Sequence, residues 1–183
     1  MAHDDRDLHQ RLRRFEIEAA ARACMNRYMV LCDALDARTP LDELAGLFIR
    51  EAIWEGKGAR YRDSFGGYRG REAIRAMFAG YMREPAHFAL NVHFLTSELI
   101  EAGDEEARGQ WVMLQTSTFA DGSSHLNAAR LQVRFVEEEG HWRMAHFQTE
   151  NLFSRPVDRW NSQAPLPVPT QTDISRPDAA DQE

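Results

Sequence analysis

From residue 87 to residue 153 the chain runs through four long stretches of period-two alternation, and only short turns separate them. His87–Glu101, Glu106–Ala120, Ser123–Glu138 and His141–Phe153 each read as a strand, divided by Gly103-Asp104-Glu105, Asp121-Gly122 and Glu139-Gly140. Strict alternation marks a strand with one face buried, and Asp-Gly between two such runs is a strong hairpin signal. Parallel neighbours need a crossover of a dozen or more residues. Turns this short leave none, so these strands are expected to form an antiparallel meander.

The first half follows a different period. Across residues 7–38, Leu8, Leu12, Phe15, Ala19, Ala23 and Tyr28 recur at mostly helical spacings, and no Gly or Pro intervenes before Pro40. The helix is expected to stop there, because Thr39 precedes Pro40 and is disfavoured from the α conformation. Pro40 suits the first turn of a second helix, Leu41 to Arg50. Glu51–Gly56 reads as a short strand, and the glycine-rich stretch 57–70, with Tyr61, Phe65 and Tyr68, as a ragged hairpin or loop. Ile74, Met77, Phe78 and Tyr81 then fall at i, i+3, i+4 and i+7, a third helix over Arg71–Tyr81 that Pro85 closes. Helices first and strands afterwards is the α+β class. The expected order is α-α-β-(β)-α-β-β-β-β, a curved, mostly antiparallel sheet with three helices enclosing an apolar pocket. Residues 1–155 would form this domain. Residues 156–183, rich in Pro, Gln, Thr, Ser and Asp, are too polar for a core and are expected to run extended or disordered.

Charge and hydropathy exclude several functions. Acidic residues outnumber basic ones, 29 against 22, whereas nucleic-acid and anionic-membrane binders need a basic surface. No apolar run approaches the roughly 20 residues that span a bilayer. The opening MAHDDRDLHQRLRR lacks the apolar stretch of a secretory signal, so a cytoplasmic protein is expected. Cys24 and Cys32 lie about 12 Å apart along a helix axis, beyond the roughly 7 Å a disulfide allows between Cα atoms. Both are expected to be free thiols of structural role.

The seven histidines offer no metal site. His87 and His93 share a strand face but stand about 20 Å apart, and His141 and His146 point to opposite faces. No G-x-S-x-G elbow is present and no cysteine has a basic neighbour that would activate it. Acid–base chemistry by histidine and carboxylate in an apolar pocket remains, with no cofactor.

Three segments carry a resemblance: Tyr28-Met-Val-Leu-Cys-Asp-Ala-Leu-Asp36-Ala-Arg, Leu44-Ala-Gly-Leu-Phe48-Ile-Arg-Glu-Ala52-Ile-Trp54 and Gly70-Arg-Glu-Ala-Ile74. Together with Asn91-Val-His93-Phe-Leu and Gly140-His-Trp142-Arg-Met144, they resemble SnoaL-like domains of the nuclear-transport-factor-2-like superfamily. The resemblance spans about residues 10–153 and implies a cone-shaped fold. In scytalone dehydratase and hexachlorocyclohexane dehydrochlorinase, members of that superfamily, an Asp at the end of the first helix orients a His on the first meander strand, which removes a proton. By local motif these roles fall on Asp36 and His93, with Tyr28 a further catalytic candidate.

The resemblance is incomplete. The second His of scytalone dehydratase falls where this chain reads Gln115-Thr-Ser-Thr-Phe119, and His125 is a candidate replacement. Tyr28 also resembles the first-helix Tyr of ketosteroid isomerase, whose base would fall at Gly56, beside Glu55. Trp54, Tyr61, Phe65, Tyr81, Trp111, Met113, Phe119 and His125 are the expected pocket lining.

Three readings follow. The first is a cofactor-independent lyase of dehydratase type acting on a cyclic, largely apolar substrate such as a steroid, terpenoid or polyketide. The second is the non-catalytic small β subunit of a ring-hydroxylating dioxygenase, and the third a protein that binds a hydrophobic small molecule. A homodimer or homotrimer is expected, because the outer sheet face carrying Val112, Leu114 and Val136 needs cover.

Overall fold

The computed structural model describes residues 2–158. Helix α1 (Ala2–Asp33) is followed by α2 (Leu41–Gly46), β1 (Phe48–Lys57), α3 (Gly58–Phe65), β2 (Gly67–Arg69), α4 (Arg71–Tyr81) and the strands β3 (Phe88–Ala102), β4 (Glu106–Phe119), β5 (Ser124–Glu138) and β6 (His141–Val157). The strands form one six-stranded sheet in the order β2-β1-β6-β5-β4-β3. The meander pairs antiparallel throughout, as its turns require. β1 joins it through a parallel pairing with β6.

Three elements differ from the sequence expectation, each for a local reason. α1 ends at Asp33, five residues early, because the turn after it is self-sufficient. The Thr39 hydroxyl donates to the Ala34 carbonyl and accepts from the Asp36 N–H, and the Arg38 N–H donates to the Asp36 carboxylate. α2 stops at Gly46 because Phe48 enters the core as the first residue of β1, with the Leu47 carbonyl accepting from the Met144 N–H of β6 at 2.8 Å. The stretch 57–70 holds a fourth helix, α3, because its glycines sit at the ends. Gly58 opens the helix at φ +74° and Gly66 closes it at φ +65°, conformations that suit glycine. Most of the Pro-rich tail expected to be extended or disordered lies outside the described residues. Pro156 and Val157 complete β6.

The helices pack on one face of the sheet. α1 buries Ile17, Ala21, Met25, Tyr28 and Leu31 against Trp111, Leu131, Phe135 and Phe147 of the strands. The sheet bends at register irregularities in β3, in β5–β6 and between β1 and β6, the usual way a sheet acquires curvature. Cys24 and Cys32 are unbridged, and burial pushes both thiols up to about 12. Only a thiolate alkylates readily. Both should therefore stay unmodified by iodoacetamide between pH 7 and 10 in the native protein and react only under denaturant, read by mass spectrometry.

The outer face of the sheet is largely polar at its centre. Gln110, Gln132, Gln148 and Glu55 stand in register across β4, β5, β6 and β1, and Arg108, Arg134 and His146 form the adjacent row. Val112, Leu114 and Val136 are half-buried. On the inner face Gly56 lets the chain of α3 lie directly against β1, where any Cβ would overlap the Tyr61 carbonyl. Gly56→Ala should cost about 1–3 kcal/mol, read as a lowered urea midpoint, whereas Gly80→Ala, which meets nothing, should cost nothing.

Candidate active site

The C-terminal turn of α1 lies along β3, the edge strand of the sheet, and brings Asp33 to His93. One oxygen, Asp33 Oδ1, accepts both the backbone N–H of His93 at 2.8 Å and its ring Nδ1–H at 2.6 Å. A carboxylate can only accept, so Nδ1 carries the proton and Nε2 is left with its lone pair free to take one. The His93 side chain is 10% exposed and that of Asp33 30%. The double contact fixes ring position and tautomer together.

Beside this pair a chain of four side-chain amides crosses the inner face, one per strand. Asn151 Nδ2 donates to Asn127 Oδ1 at 3.0 Å, Asn127 Nδ2 to Gln115 Oε1 at 3.3 Å, and Gln115 Nε2 to Asn91 Oδ1 at 2.8 Å. Asn91 Nδ2 ends the chain on the Cys32 carbonyl at 3.1 Å. The Ser117 hydroxyl is a second donor to Asn91 Oδ1, at 2.8 Å. Every amide points the same way, from β6 toward α1. Asn91 thus ties the last turn of α1 to the strand that carries His93 two residues on.

A cavity of about 310 Å³ opens over the middle of this chain. Gln115, Ser117, Asn127, His125 and Ser154 form its polar side; Tyr61, Phe65, Tyr81, Phe88 and Phe119 supply aromatic walls, with His87 among them. Asn127 Nδ2 donates to the Tyr61 hydroxyl at 2.6 Å, which leaves the Tyr61 proton available to a ligand. Burial pushes the Tyr81 phenol up, so it stays a neutral donor. His125 Nδ1 sits 3.3 Å from the Ser154 hydroxyl. His93 does not line the cavity itself; its cross-strand neighbour Gln115 does. Larger, shallower depressions lie between α1, α2 and the β5–β6 turn, and on the outer sheet face.

The expected site residues therefore divide. Tyr61, Phe65, Tyr81, Phe119 and His125 reach the cavity. Asp36 does not meet His93. Its carboxylate binds Arg38 Nη2 at 2.8 Å, and the Arg38 hydrogen bonds hold it below the usual carboxylate range. Tyr28 is sealed in the core, accepting from Trp54 Nε1 at 3.1 Å, and burial pushes its phenol well above the ordinary value. Trp54 stacks on Phe147, Trp111 covers Gly109 and donates to Glu98, and Met113 is buried beside them. These four are core, not cavity. Glu55, the alternative base, faces outward, where His146 Nε2 lies at 2.9 Å and Gln148 donates at 2.6 Å. Asp33, Asn91, Gln115 and Asn127 went unassigned in the sequence. Among the described residues, no three His, Cys, Asp or Glu side chains converge as metal ligands would.

The sequence profile of the SnoaL-like domain matches residues 13–148. The chain belongs to the SnoaL-like domain family. No curated protein sequence matches it. Among solved structures it is similar to a candidate aromatic ring hydroxylase from Novosphingobium aromaticivorans, at TM-score 0.67 and 16% identity over 78% of this chain and 94% of that one. It is also similar to a candidate scytalone dehydratase from the same organism, at TM-score 0.63 and 17% identity over 76% and 87%. A type 2 hexachlorocyclohexane dehydrochlorinase matches at TM-score 0.60 and 19% identity over 76% and 90%. At these identities the likeness establishes the fold, that of the nuclear-transport-factor-2-like superfamily.

Asn91 should be the least replaceable polar residue of the site. Asn91→Leu strands the Cys32 carbonyl and the Gln115 and Ser117 donors, at a cost of about 1–3 kcal/mol. Urea unfolding should show it, and Asn151→Ala, at the outer end of the chain, should cost less.

Proposed function

We propose that this SnoaL-like protein is a cofactor-independent lyase in which His93 is the general base and Asp33 its orienting partner. The Asp33–His93 hydrogen bond of 2.6 Å carries the reading. A carboxylate on Nδ1 holds the imidazole in the tautomer that presents Nε2, and stabilises the imidazolium formed when Nε2 takes a proton.

In an elimination the proton comes from the carbon next to the one bearing the leaving group, and for His93 to take it that carbon must reach past Gln115, the cavity residue paired with His93 across the strands. The C–H electron pair becomes the new double bond, and the leaving group departs with its own bonding pair. A departing hydroxide takes a proton and leaves as water, and the Tyr61 and Tyr81 hydroxyls are the donors available on the cavity wall. Aromatic walls facing a floor of amides and hydroxyls suit a cyclic, largely apolar molecule with oxygen substituents along one edge. Steroid, terpenoid and polyketide rings share that chemistry. The names of the dehydratase and dehydrochlorinase neighbours support elimination as the reaction type. A scaffold needs only the contact of Asp33 with the His93 backbone N–H; the second contact, to the ring, is the one that acid–base chemistry uses.

Hydroxylated cyclic ketones offered as a panel should yield a product lighter by one water, read by mass spectrometry. His93→Ala should lower turnover at least about 100-fold and Asp33→Asn by a similar order, both with unchanged circular dichroism, while Asp36→Asn stays within about threefold of the parent. Full activity in folded His93→Ala would overturn the mechanism.

A further inference from the structure

Helix α1 is apolar on two opposite sides. One side, beginning at Ile17, is buried against the sheet, whereas Leu8, Leu12 and Phe15 are 60%, 54% and 62% exposed on the other. With Ala19, also exposed, these residues follow a 4-3-4 spacing, the seam of a two-stranded coiled coil written d-a-d-a. In that frame Ile17 and Cys24 fall at f, directly opposite the seam, which matches their burial in the core.

The charges beside the seam identify what covers it. In an antiparallel pair, g positions face g and e positions face e across the seam. Placing Leu12 against Phe15 of a second chain, and Leu8 against Ala19, sets Arg11 opposite Glu18 and His9 opposite Glu16. Both contacts join unlike groups, and two-fold symmetry makes each of them twice. A parallel pairing would set Arg11 beside Glu16 but leave Glu18 beside Ala23, without a cation. Antiparallel packing also sets the two helix dipoles head to tail.

We propose that the exposed face of α1 binds a second copy of this chain through antiparallel α1–α1 pairing in this register. The surface is separate from the cavity and from the polar rows of the outer sheet face, so the pairing stands whether or not the lyase reading does. The seam is short, so the association is concentration-dependent.

Sedimentation velocity of the full chain, run as a dilution series, tests this. The parent should self-associate, and Leu12→Glu combined with Phe15→Glu should abolish that association while circular dichroism and urea unfolding remain those of a folded domain. Arg11→Glu alone should weaken association at least about tenfold, and adding Glu18→Arg should restore it. Three results would overturn the proposal: a parent monomeric at every concentration, association that Leu12→Glu with Phe15→Glu leaves intact, or rescue of Arg11→Glu by Glu16→Arg and not by Glu18→Arg. The second would place the contact elsewhere, such as the Phe94–Leu114–Ala128–Phe153 row of the outer sheet.

Discussion

The seating of one long helix along the edge strand of a bent sheet organises this molecule. A helix end leaves carbonyls unpaired and a sheet edge leaves N–H groups unpaired, and both are costly when removed from water. Here each deficit meets a side chain from the other element. Asn91 gives its amide hydrogen to the Cys32 carbonyl, and Asp33 takes the backbone N–H of His93. The contact that completes the backbone accounting is also the one that orients the imidazole. Site and scaffold share the same few atoms, so the pair is built without a dedicated loop.

The polar chain across the inner face has a related logic. An amide buried among aromatic and aliphatic side chains is expensive unless both its ends are used. A single amide would be a defect, but four in series, each donating to the next and the last to a helix terminus, satisfy one another. The common direction also determines which groups face the cavity. Asn127 spends one hydrogen on Gln115 and the other on the Tyr61 hydroxyl, so the tyrosine proton remains for a ligand.

Much of the architecture was legible in the residues. The meander followed from three turns and a change of period, and α4 from the spacing of Ile74, Met77, Phe78 and Tyr81. The losses have physical causes. The glycines around 57–70 read as loop because composition does not distinguish glycines that bound a helix from glycines within one. The local motif of the resemblance put the acid at Asp36, whereas Asp33, in the last turn of the helix, is the one that meets His93. The signal against that lay in Asp36-Ala37-Arg38-Thr39, where a short acid is followed by an N–H and a hydroxyl placed to fold back on it, a turn that consumes its carboxylate locally. Trp54, Trp111 and Met113 could not be told from pocket lining, since core and cavity share one face and one alternation. Gln115, Asn127 and Asn151 carried the right parity, polar on the buried side of three successive strands, but only the register shows that they touch.

The parallel pairing of β1 with β6 has a consequence for the birth of the protein. Every other ladder joins strands that are close in sequence, whereas Trp54 must wait for Phe147. On the ribosome the first third of the chain emerges with its apolar faces complete and its partner strand not yet made. Closure of this sheet is therefore a late, long-range event that waits on the far strand. A nascent chain stalled before residue 141 would hold β1 paired with β2 on one edge and open on the other, where β6 has yet to arrive.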